Sequence, residues 1–396
     1  MNKYLQHIKG DKAIWAIASL LAILSFLPVY SSSSNLAYLY GNGNTLSYLF
    51  KHGMHLILGF IILYGVHKIP YNYFKALSII FLPVVIVLLV YTLSQGTTIQ
   101  GANASRWIQI PLVGITFQTS AFAMVVLLVY VASYLTKIKD KVISFKESIL
   151  PLWVPVFIVV GLILPANFST AAILFSMVIL LVFLGGYPLR YLASILGVGV
   201  VMLSLFVLSA KAFPGVFPNR VDTWISRVES FTDKKSAEEG YQIEKAKIAI
   251  ATGGVTGLGP GKSVQKNFLP QSSSDFIFAI IIEEFGLFGA VVLMFLYVLL
   301  LVRLLIVAGK TDTRFGKLLV VAVGIPIIFQ AIINMAVAVE LFPVTGQTLP
   351  LISSGGTSIW MTCLALGIIL SISAKRQEKV KETNEENPLD ILSETI

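Results

Sequence analysis

The chain has one cysteine, four histidines and few charges: Asp, Glu, Lys and Arg make up 12% of its 396 residues. An ordinary soluble domain carries about 25%, so the composition argues against a water-soluble fold. A lone Cys363 cannot close an internal disulfide, and no cysteine cluster can hold a metal. Acids are scarcer than bases, which leaves a net charge of +9. Such a charge could suit nucleic acid, but here the basic residues gather in short segments between apolar runs, which argues against that partner. No A-x-A cleavage site follows the first apolar run, so it reads as a retained first helix and not as a signal peptide.

What is present is hydrophobic sequence, 56% of the chain, in runs suited to a bilayer. A spanning helix needs about 17 to 25 apolar residues. Spans are expected near 13–30, 52–69, 73–93, 116–135, 149–164, 167–185, 189–210, 276–303, 317–340 and 350–373. The fifth and sixth flank Pro165, Ala166 and Asn167, and read either as a tight hairpin or as one broken segment. With the N-terminus in the cytoplasm, 18 Lys and Arg fall on the cytoplasmic side and only Lys51 and Arg106 in short outer loops. That asymmetry sets orientation, whereas long loops translocate largely regardless of charge. The expected fold is therefore an all-α polytopic integral membrane protein. It has about ten transmembrane helices, both termini cytoplasmic, and one large extracytoplasmic loop, 211–275, between spans 7 and 8. Residues 1–375 form the transmembrane domain and 376–396 a flexible cytoplasmic tail.

Ionisable residues inside spans are rare and tend to line a cavity or pathway. Glu283 and Glu284 lie within FIFAIIIEEFG, about 12 Å along a helix from Asp275. They read either as paired packing residues or as the polar wall of a substrate cavity. Asp275 follows three serines ahead of an apolar helix, which fits a helix cap. It equally fits an interfacial acid placed to take a proton from a sugar hydroxyl. Positive partners for an anionic substrate are Arg106, Arg220, Arg227, Lys245, Lys247, Lys262 and Lys266. Arg suits bidentate phosphate contact, and the 233–247 cluster, rich in both signs, reads as a solvated face. The run from Gly257 to Ser263 looks like a P-loop but is one residue short between Gly257 and Gly261-Lys262. It reads instead as a close-packing glycine loop, with Gly355 and Gly356 in a second such segment ahead of the last span.

Five segments carry a family resemblance: GANASRW at 101–107, PNRVDTWISR at 218–227, YQIEKAKIAIATGGVTGLGPGKSVQKNFLP at 241–270, SDFIFAIIIEEFG at 274–286 and PVTGQTLPLISSGGTS at 343–358. With them the chain resembles the SEDS family of shape, elongation, division and sporulation proteins, from first span to last. The resemblance implies a peptidoglycan glycosyltransferase of the bacterial inner membrane that joins lipid II units outside the membrane. Asp275 takes the role of catalytic base. Arg106, Arg220, Arg227, Lys266, Ser263, Gln265, Ser354, Gly355 and Gly356 become substrate-binding candidates. A divalent cation, Mg or Mn, could assist the leaving pyrophosphate, although no ligand cluster is visible. The implied partners are lipid II, the growing glycan strand, a class B penicillin-binding transpeptidase and other divisome membrane proteins. The wording of the 343–358 segment and the polar tail lean toward the division branch over the elongation branch.

The chain also departs from the family pattern. The usual FQPSE with a following Lys is FQTSAFAM here, so Ala121 and Met124 stand where a Glu and a Lys are expected. Gln271, Ser273 and Ser274 replace Glu, His and Thr ahead of Asp275, and Ser354 replaces a Tyr. A lipid II flippase and a divisome scaffold are the rival readings. No internal repeat of the transporter kind is visible, and the motifs collect on one outer face.

Overall fold

The computed structural model describes residues 9–40, 44–95, 98–99, 102–103, 106–109, 116–138, 144–212, 237–269 and 272–385. Three helices open the chain: α1 (Lys12–Tyr40), α2 (Thr45–Val66) and α3 (Tyr73–Gln95). Asp11 caps α1 through the amides of Ala13 and Ile14 at 2.9 and 3.2 Å, and Asn44 caps α2 through Ser47 at 3.2 Å. Two short antiparallel ribbons follow, β1–β2 (98–99 with 102–103) and β3–β4 (Trp107–Gln109 with Thr116–Gln118). The expected all-α architecture therefore has these small ribbons as its one β feature among the described residues.

Next come α4 (Thr119–Lys137), α5 (Phe145–Ile163), α6 (Phe168–Leu184) and α7 (Leu189–Ala212). The fifth and sixth spans are thus two helices that pack against each other, and α5 contains one wide turn at Ile149–Trp153. Asn167 makes the break between them, since its side chain accepts from Thr170 N–H at 3.3 Å and starts α6. The chain then forms α8 (Ala237–Gly253), α9 (Ile277–Lys310), α10 (Arg314–Ala338) and α11 (Gly356–Glu385). The last helix runs beyond Arg376 into the segment expected to be a tail.

Eight of these helices are long and apolar enough to cross a membrane, and α6 and the first part of α7 are shorter apolar helices. Burial separates the centre from the rim. The apolar window of α11 is 83% buried and those of α4 and α10 are 67% buried, against 22% for α2 and 28% for α3. The central helices therefore present side chains inward on most sides, and α2 and α3 turn theirs outward. One face is tied by charge: Arg303 on α9 pairs with Asp11, whose amide also donates to Ser373 on α11 at 2.9 Å.

Two irregular stretches pack against this bundle. Lipid cannot satisfy free backbone groups, so such backbone persists only where protein partners it. Residues 339–355 meet that demand: Tyr297 donates to Pro350 O at 2.6 Å, Ser353 Oγ accepts from Leu349 N–H at 2.7 Å, and Asn334 donates to Gln347 O at 2.7 Å. The second stretch, 254–267, docks on a break in α9 at Gly286, where φ is 66° and ψ −168°. Leu258 and Gly259 donate to Glu283 O and Glu284 O, both at 2.9 Å, while Leu287 donates back to Gly254 O at 2.9 Å. The sequence pattern predicts one unbroken eighth span; the structure breaks it because the loop supplies the hydrogen bonds that the helix forgoes.

Candidate functional site

Asp275 is half-buried at the head of α9. The helix starts at Ile277 with Phe276 as its N-cap, and that cap residue makes no side-chain bond. Asp275 thus stands one residue ahead of the cap position. Its neighbours come from the 343–358 segment. Ser354 donates to Ser273 O from both its backbone and its hydroxyl, each at 2.9 Å, and Ser353 Oγ donates to Ser274 O at 2.6 Å. Gly346, with φ 66°, lies beneath the carboxylate: a Cβ there would meet Asp275 Oδ2 at 3.5 Å. Asn334 on α10 donates to Asp275 O at 2.8 Å.

Gly346 is also part of the wall of a cavity with about 700 Å³ of open space between α4, α6, α10 and α11. Among the described residues its lining holds no charged side chain. The polar wall includes Gln118, Thr170, Gln330, Gln347, Thr348 and Ser358. Gln347 donates to Thr170 Oγ1 at 3.1 Å and accepts from Gln330 at 3.4 Å, while Thr348 and Ser358 share a bond of 2.7 Å. The apolar wall includes Ala121, Met124 and Leu128 at helical spacing on α4. The two positions where the family pattern has a Glu and a Lys therefore face this cavity with a methyl and a thioether.

The other candidates divide. Arg106, half-buried ahead of β3, donates to Ala166 O at 2.7 Å. Ala166 adjoins the Asn167 cap whose helix carries Thr170 of the cavity wall, but Arg106 is not itself among the lining residues. Gly356 is packed by a ring: its Cβ would lie 2.7 Å from His55. Gly355 has only Ser358 and Thr348 nearby, at 3.7 and 3.8 Å. Ser263, Gln265 and Lys266 are placed elsewhere, at the α9 break. Ser263 Oγ donates to Glu283, whose carboxylate also accepts from the amides of Val264 and Gln265 at 3.0 and 3.2 Å. Glu284 accepts from Ser31 Oγ and from Ser263 N–H at 3.3 Å, leaving its buried Oε2 without a partner. Lys266 Nζ donates to Ser31 Oγ at 3.1 Å and Gly261 O at 2.8 Å. Glu283 and Glu284 are thus loop-holding groups, 0% and 1% exposed, and do not line the cavity. Arg220 and Arg227 lie outside the described residues.

Sequence reasoning missed Gln330, Asn334 and Gln347. A signal was available, since Gln330 and Asn334 are two amides four residues apart inside an apolar span, hence on one helix face. Charge drew attention away from neutral amides.

Fold and site together define a multi-span membrane protein with an acid at the rim of an uncharged internal cavity. A family model described as cell cycle protein, of the FtsW, RodA and SpoVE type, matches residues 11–378. The probable peptidoglycan glycosyltransferase FtsW of Hahella chejuensis is 31% identical over 395 residues, covering 98% of this chain and 96% of that one. The corresponding protein of Nitrosococcus halophilus is 31% identical over 336 residues, 83% of this chain and 84% of its own. A solved peptidoglycan synthase complex that coordinates polymerization and crosslinking matches with a TM-score of 0.71 at 25% identity, over 93% of this chain and 98% of that chain. The rod shape determining protein RodA of Thermus thermophilus shares the fold, with a TM-score of 0.65 at 24% identity over 93% of this chain. The chain belongs to the FtsW, RodA and SpoVE family of cell cycle proteins.

Proposed function

We propose that this protein is a peptidoglycan glycosyltransferase that polymerises lipid II into β-1,4-linked strands on the outer side of the bacterial inner membrane. The observation that carries the reading is Asp275, held beside Gly346 at the rim of a cavity without charged side chains, in a chain whose relatives bear that activity in their names. A sugar is neutral and rich in hydroxyl and amide groups, which suits a wall of Gln, Thr and Ser. A pyrophosphate does not suit that wall and belongs outside it, toward Arg106, with Arg220 and Arg227 as the further candidates.

The chemistry follows from the acid's place. Asp275 takes the proton of the acceptor's 4-hydroxyl, and the oxygen attacks C1 of the donor sugar from the face opposite the leaving group. The new C–O bond forms as the bond from C1 to the pyrophosphate oxygen breaks, giving inversion, and undecaprenyl pyrophosphate carries away the electron pair. Positioning contributes most here, since a base must sit about 2.6–3.2 Å from the oxygen it serves. No three His, Cys, Asp or Glu side chains gather as a metal site among the described residues.

The membrane reading adopts ten spans, the eight long helices with α6 and α7, and both termini cytoplasmic. A septal role, with a class B penicillin-binding transpeptidase as partner, is favoured by the relatives at the division branch and by the likeness to a synthase complex. The test is incubation of the purified protein with lipid II. Release of undecaprenyl pyrophosphate and a polymer that muramidase digests to disaccharides support the reading. Lipid II recovered intact, with transfer between leaflets in vesicles, supports the flippase instead.

A further inference from the structure

We propose that Asn334 is a positioning residue for Asp275, an inference that rests on the reading of Asp275 as the base. Asn334 is 1% exposed within α10. Its amide nitrogen carries two hydrogens and uses both on foreign backbone, Asp275 O at 2.8 Å and Gln347 O at 2.7 Å. Neither carbonyl belongs to a helix. Asp275 precedes the N-cap of α9, and Gln347 follows Gly346, the residue beneath the carboxylate. One rigid amide therefore fixes the separation between the segment that carries the acid and the turn that faces it.

The chemistry of the site selects an amide. Two carbonyls facing one point need two donors, which Asn supplies without charge. Lys would bring a charge into the membrane interior, which is costly, and Asp cannot donate when ionised. The assignment of nitrogen and oxygen is forced, because the flipped amide would aim its oxygen at both carbonyls. That orientation leaves Asn334 Oδ1 buried without a partner. A buried unsatisfied acceptor lowers stability, so the placement of the donor is what the residue contributes. Gln347 extends the linkage to Thr170 and Gln330 in the cavity wall, at 3.1 and 3.4 Å. The same amide that orients the acid is thereby joined to the surface where the acceptor sugar would lie.

The experiment uses full-length protein and lipid II, with N334L, the isosteric N334D, D275N and the double variant D275N/N334L. A misplacement of about 1 Å costs about a hundredfold in rate. N334L and N334D are expected to lower kcat at least about tenfold, and N334L to hold KM for lipid II within about twofold, since an interaction that matters only in the transition state is lost. Melting temperature is expected to fall in N334D, whose carboxylate would face two carbonyl oxygens, so the split between kcat and KM is read in N334L. D275N/N334L is expected to be no slower than D275N, because the two act as one unit. Native kcat in both N334 variants, with D275N inactive, overturns the proposal. A fall in kcat matched by a rise in KM and a lower melting temperature in N334L also overturns it, by assigning Asn334 a merely structural role. Full activity in D275N removes the base itself, and is told apart because it appears without any change at Asn334.

Discussion

Replacing Gly286 by Ala tests how the 254–267 loop holds α9 in its broken form. The backbone at Gly286 has φ 66° and ψ −168°, a region almost closed to residues with a Cβ, where strain is about 1–3 kcal/mol. The added methyl would also meet Val255 O at 2.2 Å and Gly257 N at 2.5 Å. Relief needs backbone movement of about an ångström, and the movement falls on the bonds that dock the loop. Those bonds are Leu258 and Gly259 to the carbonyls of Glu283 and Glu284, and Leu287 and Phe288 to those of Gly254 and Val255. Each contributes about 1 kcal/mol net. Strain and the loss of two such bonds together come to about 3–5 kcal/mol, or two to four decades in the docked-to-undocked ratio. Hydrogen exchange of the peptide covering 254–269 reads this ratio directly. G286A is expected to lose most of its protection and its polymerising activity. G309A is the control, because among the described residues nothing outside its own helix backbone lies within 4 Å of a Cβ there, and Ala favours helix over Gly by about 1 kcal/mol. Native protection in G286A would show that the break in α9 is not maintained by the loop.

Two further substitutions probe the acids and the cavity. Glu283→Leu removes the acceptor of Ser263 Oγ and of the Val264 and Gln265 amides. With three donors left unpaired, a loss of about 3–5 kcal/mol is expected, and thermal unfolding in detergent checks it; an unchanged midpoint contradicts the loop-holding role. Ala121→Glu puts a charge into the uncharged cavity at a cost of about 2.5–3.5 kcal/mol. A121E/M124K, whose new side chains stand three residues apart on one helix face, should recover part of that loss. Equal stability of the single and double variants would mean that the two positions do not share the cavity.

Much of the fold is legible in the chain because apolar length is a strong signal for helices suited to a bilayer. The ends of α3 and α6 fall within a few residues of the expected spans, and Asn167 announces the turn before α6 by its capping chemistry. The start of α2 does not follow from hydropathy, since polar Asn44, Thr45 and Ser47 initiate it well ahead of the apolar run. The break at Gly286 was also hidden, because its cause is the loop bound to it and a lone glycine in an apolar run says nothing of that partner. At the site, charge singles out Asp275, which lies beside Gly346 of the cavity wall, but it does not point to the neutral amides around it. Lys266 and Ser263 belong to a glycine-rich segment with the look of a binding loop, yet their partners are Ser31, Gly261 and Glu283. Neutral amides such as Asn334 gain their meaning only from two distant carbonyls that the linear sequence does not bring together.

Asp275 is proposed as the base of a lipid II polymerase. The most direct measurement is glycan-strand formation by the purified protein, with and without a class B penicillin-binding transpeptidase, comparing the native chain with D275N. Asn keeps the size and the hydrogen-bonding reach of the side chain and removes only the proton acceptor. The account predicts strands from the native protein and none from D275N, with melting temperature and partner binding unchanged. Strands of equal length and rate from D275N would contradict it.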